Sequence, residues 1–366
     1  MNILIFFIIL LVLVLVHEFG HFFAAKRFGI RVDEFGFGFP PKLFGKKFGE
    51  TEYTFNLLPL GGFVKIFGEN PTEENTSGPD SERSMINKPA WKQAIVLFAG
   101  VAANFLLAWL LFSFSFMSGL PASVSNAPEG YVISNAELMI ISTLPESPAE
   151  VAGLKSGDRV ISVQTVSGDQ SLTEINPDTL RTFILANANE EIEIGYKRGK
   201  SEQGVASVIP VIGDNGSPAI GISMDLVGIV KVPFFKALWE GLKFNWAVTS
   251  ATAVGLYTLI TEGLQGKGDM SAITGPVGLV GIVGDAYEFG FSYLLSFTAL
   301  ISVNLAIINL APFPALDGGR LLFLLIEKIK GSRLNPAFAN AANMVGFAIL
   351  IILMLFVTYN DILNLI

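Results

Sequence analysis

Residues 3–16 are Ile, Leu, Phe and Val, without a polar atom in any side chain, and they run directly into His17-Glu18-Phe19-Gly20-His21. Such a run must be kept from water, and over residues 2–24 it makes a helix long enough to cross a bilayer. Residues four apart share one face of a helix, so His17 and His21 stack at the end of an apolar rod. Two imidazoles spaced in this way can hold one zinc ion, and a Glu beside the first can act as general base. The pattern recurs by chance, and the bland alternative is a pair of ordinary helix histidines. Two facts weigh against it. These are the only two histidines in 366 residues, and ionisable groups in a spanning segment are costly without partners and functional by default.

The residues are 51% hydrophobic and the mean hydropathy is +0.55. That is more apolar than a soluble domain, so the chain reads as an integral membrane protein. The absence of cysteine excludes a cysteine nucleophile, thiolate ligands and disulfides. A net charge of −8 and a pI near 5.0 argue against a nucleic-acid partner.

A cleaved leader is not expected at residues 2–24, which lack a basic n-region and hold both histidines. Lys26, Arg27, Arg31, Lys42, Lys46 and Lys47 follow the first helix, and no Lys or Arg precedes it. The positive-inside rule then sets the N-terminus outside and residues 26–90 on the cytoplasmic side. At about 1.5 Å per residue, His17 lies ~21 Å along the helix from Ile3. A metal there sits within the membrane, nearer its cytoplasmic face. Residues 59–65 are too short and broken to span, and read as a hairpin or re-entrant strand lying against the helices. Residues 69–88 read as a polar, mobile loop. Residues 92–118 form a second span, whose Gly100 and Asn104 suit close helix packing. An interhelical hydrogen bond accounts for Asn104 as well as a direct catalytic part does.

Residues 125–228 regain charge and hold short alternating runs at 138–143, 159–163, 191–196 and 205–211. Residues 178–188 read as a helix capped by Asp178. A soluble α+β domain of ~100 residues fits here, and following the second span it lies outside. Residues 291–311 and 342–359 form the last two spans, with Arg320, Lys328, Lys330 and Arg333 between them. That loop is cytoplasmic and the C-terminus lies outside.

A catalytic zinc usually keeps three protein ligands and one open position. Without Cys or a third His the third ligand must be a carboxylate, and Asp317 is the best placed, in a turn set by Pro312, Pro314, Gly318 and Gly319. The bland alternative is that Asp317 caps the helix that follows. Asp317 must lie at the same membrane face as His17 and His21, which leaves no room for an extra crossing. Residues 233–262 therefore read as amphipathic helices on or in the outer leaflet, and the chain has four spans. Its parts are an N-terminal membrane domain (1–124), a soluble domain (125–228), connecting helices and loop (229–290) and a C-terminal membrane domain (291–366).

These residues resemble the site-2 protease family of intramembrane zinc metalloproteases, most nearly the bacterial sigma-E-regulating type, over nearly the whole chain. His17-Glu18-Phe19-Gly20-His21 is similar to the family's HExxH. Asn309 through Gly318 resembles its N-x-x-P-x-x-x-D-G element, which implies Asp317 as a zinc ligand and Asn309 as a substrate- or transition-state-contacting residue. Leu60, Gly61, Gly62, Phe63, Val64 and Lys65 fall in a likeness of its membrane re-entrant β-loop, implying a substrate-binding strand. Gly100 and Asn104 match its G-x-x-x-N, implying structural or transition-state support, with Val101 where proline is common. Ser147-Pro148-Ala149, Ala152-Gly153-Leu154 and Gly157-Asp158 resemble its PDZ domain, and there is room for one such domain where the sigma-E-regulating enzyme has two.

The resemblance implies a fold of four transmembrane helices, a re-entrant β-loop and a small extracytoplasmic PDZ-like domain. It implies a zinc-dependent endopeptidase, with Zn2+ as cofactor and Glu18 as general base. Its substrates would be single-pass transmembrane proteins, such as anti-sigma factors or signal-peptide remnants, cut within the bilayer in regulated intramembrane proteolysis. The expected setting is a bacterial inner membrane, with lipid around a monomer. The competing functions are a zinc transporter or sensor using the same ligands, and an inactive scaffold.

Overall fold

The structure is a computed structural model, described here for residues 2–70, 73–124, 133–199, 202–213, 216–266 and 274–363. The start of the expected soluble domain, residues 125–132, and residues 267–273 of the connecting segment lie outside these. The chain divides into two compact units, one of residues 1–112, 238–284 and 297–366, the other of residues 113–237 and 285–296.

Helix α1 (Asn2–Arg27) carries the apolar run and both histidines. Strands β1 (Val32–Phe48) and β2 (Thr51–Ile66) follow. Each bends so that it contributes two segments. Residues 34–37 pair with 52–55, the numbers rising together, and with 62–65, the numbers running oppositely; residues 42–48 pair with 51–56. Residues 34–37 thus lie inside the sheet, and 62–66 form an outer segment with no further strand partner among the described residues. Stacked Phe37, Phe55 and Phe44 rings line one face.

The segment expected to be a mobile loop is built instead. It holds α2 (Glu73–Ser77) and two 3-10 turns. Arg31 reaches back to Asp80, and the Met85 amide donates to the Phe67 carbonyl. Glu50 accepts from Lys26 and Arg83, which hold its carboxyl below the usual carboxylate range.

Helix α3 (Ala90–Ser118) leads into β3 (Leu120–Ser123) and the second unit. There β4 (Ile133–Thr143), the short α4 (Pro148–Val151), β5 (Arg159–Thr165), α5 (Pro177–Ala186), β6 (Ile192–Arg198) and β7 (Glu202–Val208) follow. After the short β8 (Val211–Ile212) and β9 (Pro218–Ala219), β10 (Ile222–Val230) closes an antiparallel sheet of order β3-β10-β4-β5-β6-β7. Leu138, Ile140, Leu154, Leu180, Ile192 and Ile194 fill its core. Asp178 does not cap α5. Asn176 does, in a reciprocal box with Thr179, because its side chain stands one position before the Pro177 that starts the helix.

Residues 233–262 form one continuous helix, α6 (Phe234–Leu264), rather than several. It packs on α3, where Trp109 donates to the Leu238 carbonyl and Asn245 to the Phe105 carbonyl. Helices α7 (Pro276–Phe289), α8 (Phe291–Leu310), α9 (Asp317–Lys330) and α10 (Pro336–Leu363) complete the chain. The buried Asp361 of α10 accepts from the amides of Gly275 and Gly278, satisfying the donors that α7 leaves free at its start. Among the described residues four helices, α1, α3, α8 and α10, are long and apolar enough to cross a membrane. The chain is a multi-pass membrane protein.

The second unit holds one ion pair whose carboxylate is fully buried. Asp158, fully buried, accepts two bonds from Arg198, whose guanidinium is held above its ordinary value mainly by that carboxylate. Removing the carboxylate leaves the Lys155 amide and the half-buried guanidinium without their acceptor. Asp158→Leu should destabilise the second unit by about 1–3 kcal/mol, read as faster hydrogen exchange in β4–β6. Unchanged protection would mean that the pair contributes nothing.

Candidate metal centre

The donor set is assembled from two helices. His17 and His21 come from α1 and are buried; Asp317 is the first residue of α9. Asp317 caps nothing: the N-cap position is Leu316, without a side-chain cap bond. Its Oδ2 instead lies 3.0 Å from His17 Nε2 and 3.2 Å from His21 Nε2, and the two Nε2 atoms are 3.1 Å apart. A tetrahedral zinc with bonds of ~2.0–2.1 Å sets its donors ~3.3 Å from one another. The triangle therefore fits three corners of such a site with the fourth left open, and the nitrogen–carboxylate donor set suits zinc.

Helix α3 is the wall against which this triangle stands. The His21 Nδ1 donates to the Val96 carbonyl at 2.8 Å, and the Asn104 carboxamide lies 3.3 Å from His17 Nδ1. Between them Gly100 has no room for a side chain: a Cβ there would lie 2.4 Å from His21 Nε2 and 2.8 Å from His17 Cε1. Val96, Gly100 and Asn104 recur at the four-residue spacing of one helix face. The crossing is tight on the other side too, since a Cβ at Gly20 would come within 2.3 Å of the Ala99 carbonyl oxygen. Gly20 lies inside the motif yet was not singled out from the sequence; a glycine among bulky apolar residues was the available signal.

The turn that delivers Asp317 is strained and pinned. Ala315 has φ 76, in the region that L-residues avoid, and its amide is held by Asn343 of α10 at 3.1 Å. Gly318 and Gly319 let the turn fold onto the carbonyls of Leu310 and Phe313, which a Cβ would meet at 2.2 Å. Arg320 ion-pairs with Glu69. Neither Asn343 nor Glu69 was legible as part of the site.

The triangle opens into a cavity of about 320 Å³ that Glu18, Asn309, Glu69, Phe63, Val64 and Leu316 help to line. The Val64 amide bonds to the Glu18 carboxylate. Gly61 and Gly62 press on α1, where a Cβ at Gly61 would lie 3.6 Å from Val14 and one at Gly62 3.1 Å from Leu15. Lys65 pairs in register with Glu34, and of Leu60 the structure describes only the backbone, in β2. The site thus brings together His17, His21, Asp317, Glu18, Asn309, Phe63 and Val64, with Gly100 and Asn104 behind the imidazoles.

Gly100→Ala forces a methyl into the imidazole pair. Overpacking of this kind costs about 1–3 kcal/mol, and here it should appear as lost metal content in the purified protein. Full zinc occupancy in that variant would contradict the close approach of α3.

The profile of Peptidase family M50 matches residues 5–353. A candidate zinc metalloprotease of Clostridium perfringens is 36% identical over 351 residues, 96% of this chain and 95% of that protein. The zinc metalloprotease RasP of Geobacillus kaustophilus is 31% identical over 440 aligned residues, covering 99% and 97%. The RasP of Shouchella clausii is 31% identical over 443, covering 99% of each. Among solved structures, the PDZ domain of the SdrC-like protein of Listeria monocytogenes aligns with 25% of this chain and 92% of its own, at 19% identity and a TM-score of 0.21. The match runs through both histidines, the acidic turn and four apolar helices, and the chain belongs to Peptidase family M50, the site-2 protease family of membrane metalloendopeptidases.

Proposed function

We propose that this chain is a zinc-dependent intramembrane endopeptidase that cuts single-pass transmembrane substrates within the bilayer, in regulated intramembrane proteolysis. One observation carries the reading: the donor triangle of His17, His21 and Asp317 shares a cavity with Glu18 and with the outer sheet segment at Phe63 and Val64. A bound zinc ion supplies Lewis-acid polarisation of water and of the scissile carbonyl. Glu18 takes the proton of the attacking water and passes it to the leaving amine nitrogen. Asn309 donates to the substrate backbone or to the oxyanion that develops on the attacked carbonyl.

A transmembrane helix hides its peptide bonds in its own hydrogen bonds, so a substrate must be extended before it is cut. The outer side of residues 62–66, which has no further strand partner among the described residues, offers a place for an added strand beside the cavity. This segment acts as a re-entrant β-loop, its backbone shielded from lipid by the sheet and α1. In the second unit, β10 pairs with β3 in register over residues 227–230, and its first residues face α5 across a cavity of about 440 Å³ lined by Arg181, Ile184 and Met224. A PDZ-like domain selects substrates there through an exposed chain end, on the outer side of a bacterial inner membrane, with both termini also outside. Lipid surrounds a monomer, and the metal lies nearer the cytoplasmic face.

Glu18→Gln should lower cleavage of a model transmembrane peptide by at least ~10²-fold while keeping zinc, whereas Asp317→Ala should lose both zinc and activity. Elemental analysis decides it. Loss of zinc in Glu18→Gln would make that residue a ligand, and wild-type zinc in Asp317→Ala would put the third ligand elsewhere.

Because the chain has no cysteine, single cysteines report sidedness without background. Residues 40–50 and 328–333 should label from the cytoplasmic side only, and residues 165–199 from outside only. Labelling of either set from the opposite face would overturn the orientation.

A further inference from the structure

A histidine that ligates through Nε2 in the neutral form carries its proton on Nδ1, and that proton needs an acceptor when buried. For His21 the acceptor is the Val96 carbonyl. For His17 it is supplied differently. The two rings stand at 82° with centroids 4.8 Å apart, so their Nε2 atoms converge while their Nδ1 atoms diverge to different levels of α3. At the level of His17 the group facing Nδ1 is the Asn104 carboxamide, 3.3 Å away through Nδ2.

Asn104 is itself fully buried, and its Oδ1 has no hydrogen-bond partner among the described residues. A half-turn about Cβ–Cγ exchanges the two ends of a carboxamide in place. It turns the orphaned acceptor onto the one ring nitrogen that ligation requires to be a donor. Asn104 is fixed for this task from a third helix, because Ser302 of α8 donates to its backbone carbonyl at 2.9 Å.

We propose that Asn104 is a positioning residue of the metal centre: its Oδ1 accepts from His17 Nδ1–H, fixing the tautomer and the ring orientation that present Nε2 to zinc. The inference rests on the metal-site reading above and adds to it a role beyond the packing of two helices. A carboxamide is suited to the place because it also donates to Nδ1 when the proton sits on Nε2, where His17 then bonds to Asp317. It follows the imidazole through either tautomer without burying a charge.

The test is zinc affinity, measured on the full-length protein in detergent by competition with a chromophoric chelator. Asn104→Leu, close in size but neither donor nor acceptor, should weaken zinc binding by about 10–100-fold. Asn104→Asp, an acceptor only, should restore it to within a few-fold of wild type. Simple helix packing predicts the opposite order, since Leu fits an apolar interface and Asp does not. Wild-type affinity in Asn104→Leu, or failure of Asn104→Asp to recover it, overturns the inference. A measurement on the wild type needs no variant to fold. With only two histidines, the ¹⁵N spectrum of the ¹¹³Cd-loaded protein should show cadmium coupling at Nε2 and a protonated Nδ1 on both rings. Coupling at His17 Nδ1 overturns the inference. A wild type that binds neither zinc nor cadmium overturns the metal-site reading itself.

Discussion

A polar atom inside an apolar helix bundle has no water to turn to, so leaving it without a partner in the protein is costly. Much of this structure follows from meeting that demand around two imidazoles. His21 spends its second nitrogen on the Val96 carbonyl, His17 meets Asn104, and both present Nε2 to Asp317. The same logic recurs away from the site. Asp361 is buried at the end of α10 because two amides of the α7 start receive it, and Asn245 enters the α3–α6 seam by donating to the Phe105 carbonyl.

Close approach is the second condition, and it explains the glycines that chemistry alone does not. A partner carbonyl or carboxamide on α3 can reach the imidazoles only if the two helix backbones nearly touch. Gly20 and Gly100 remove the side chains that would hold them apart. Gly318 and Gly319 do the same for the turn of Asp317, which folds back on its own carbonyls. The strain at Ala315 is tolerated because Asn343 grips its amide from α10.

The sequence was most readable where composition leaves few choices. Four runs are apolar enough to cross a membrane, and in a chain with two histidines and no cysteine a third ligand had to be a carboxylate in a broken turn. Elimination and the likeness to the N-x-x-P-x-x-x-D-G element both pointed to Asp317, and the structure brings its carboxylate to the two imidazoles. What was not readable depends on partners distant in sequence. The pairing of residues 34–37 with two different segments is set by the bend of each strand and by ring stacking of Phe37 on Phe55, neither of which a period-two pattern encodes. The cap of α5 moved from Asp178 to Asn176 because Pro177 starts the helix one residue earlier than its charge suggests. The polar residues that interrupt α6 break its hydropathy without breaking the helix, since Asn245 and Thr249 turn their side-chain donors onto backbone carbonyls of α3 and of α6 itself.

These observations divide the labour of the site among elements in a particular way. The metal donors proposed above, with Glu18 and Asn309, sit on α1, on the turn into α9 and at the end of α8, while α3 carries none of them. Yet α3 supplies an acceptor for one imidazole and a carboxamide for the other, and it leaves the clearance between them. Ser302 then ties Asn104 to α8, the helix that ends in Asn309 and leads to Asp317. The chemistry-bearing residues therefore share one reference, a helix with no reactive group of its own. A change on α3 at Val96, Gly100 or Asn104 bears on both imidazoles together, whereas a change at one donor removes that donor alone. That is why a glycine and an asparagine one turn apart on α3 bear on the donor geometry although neither is a donor.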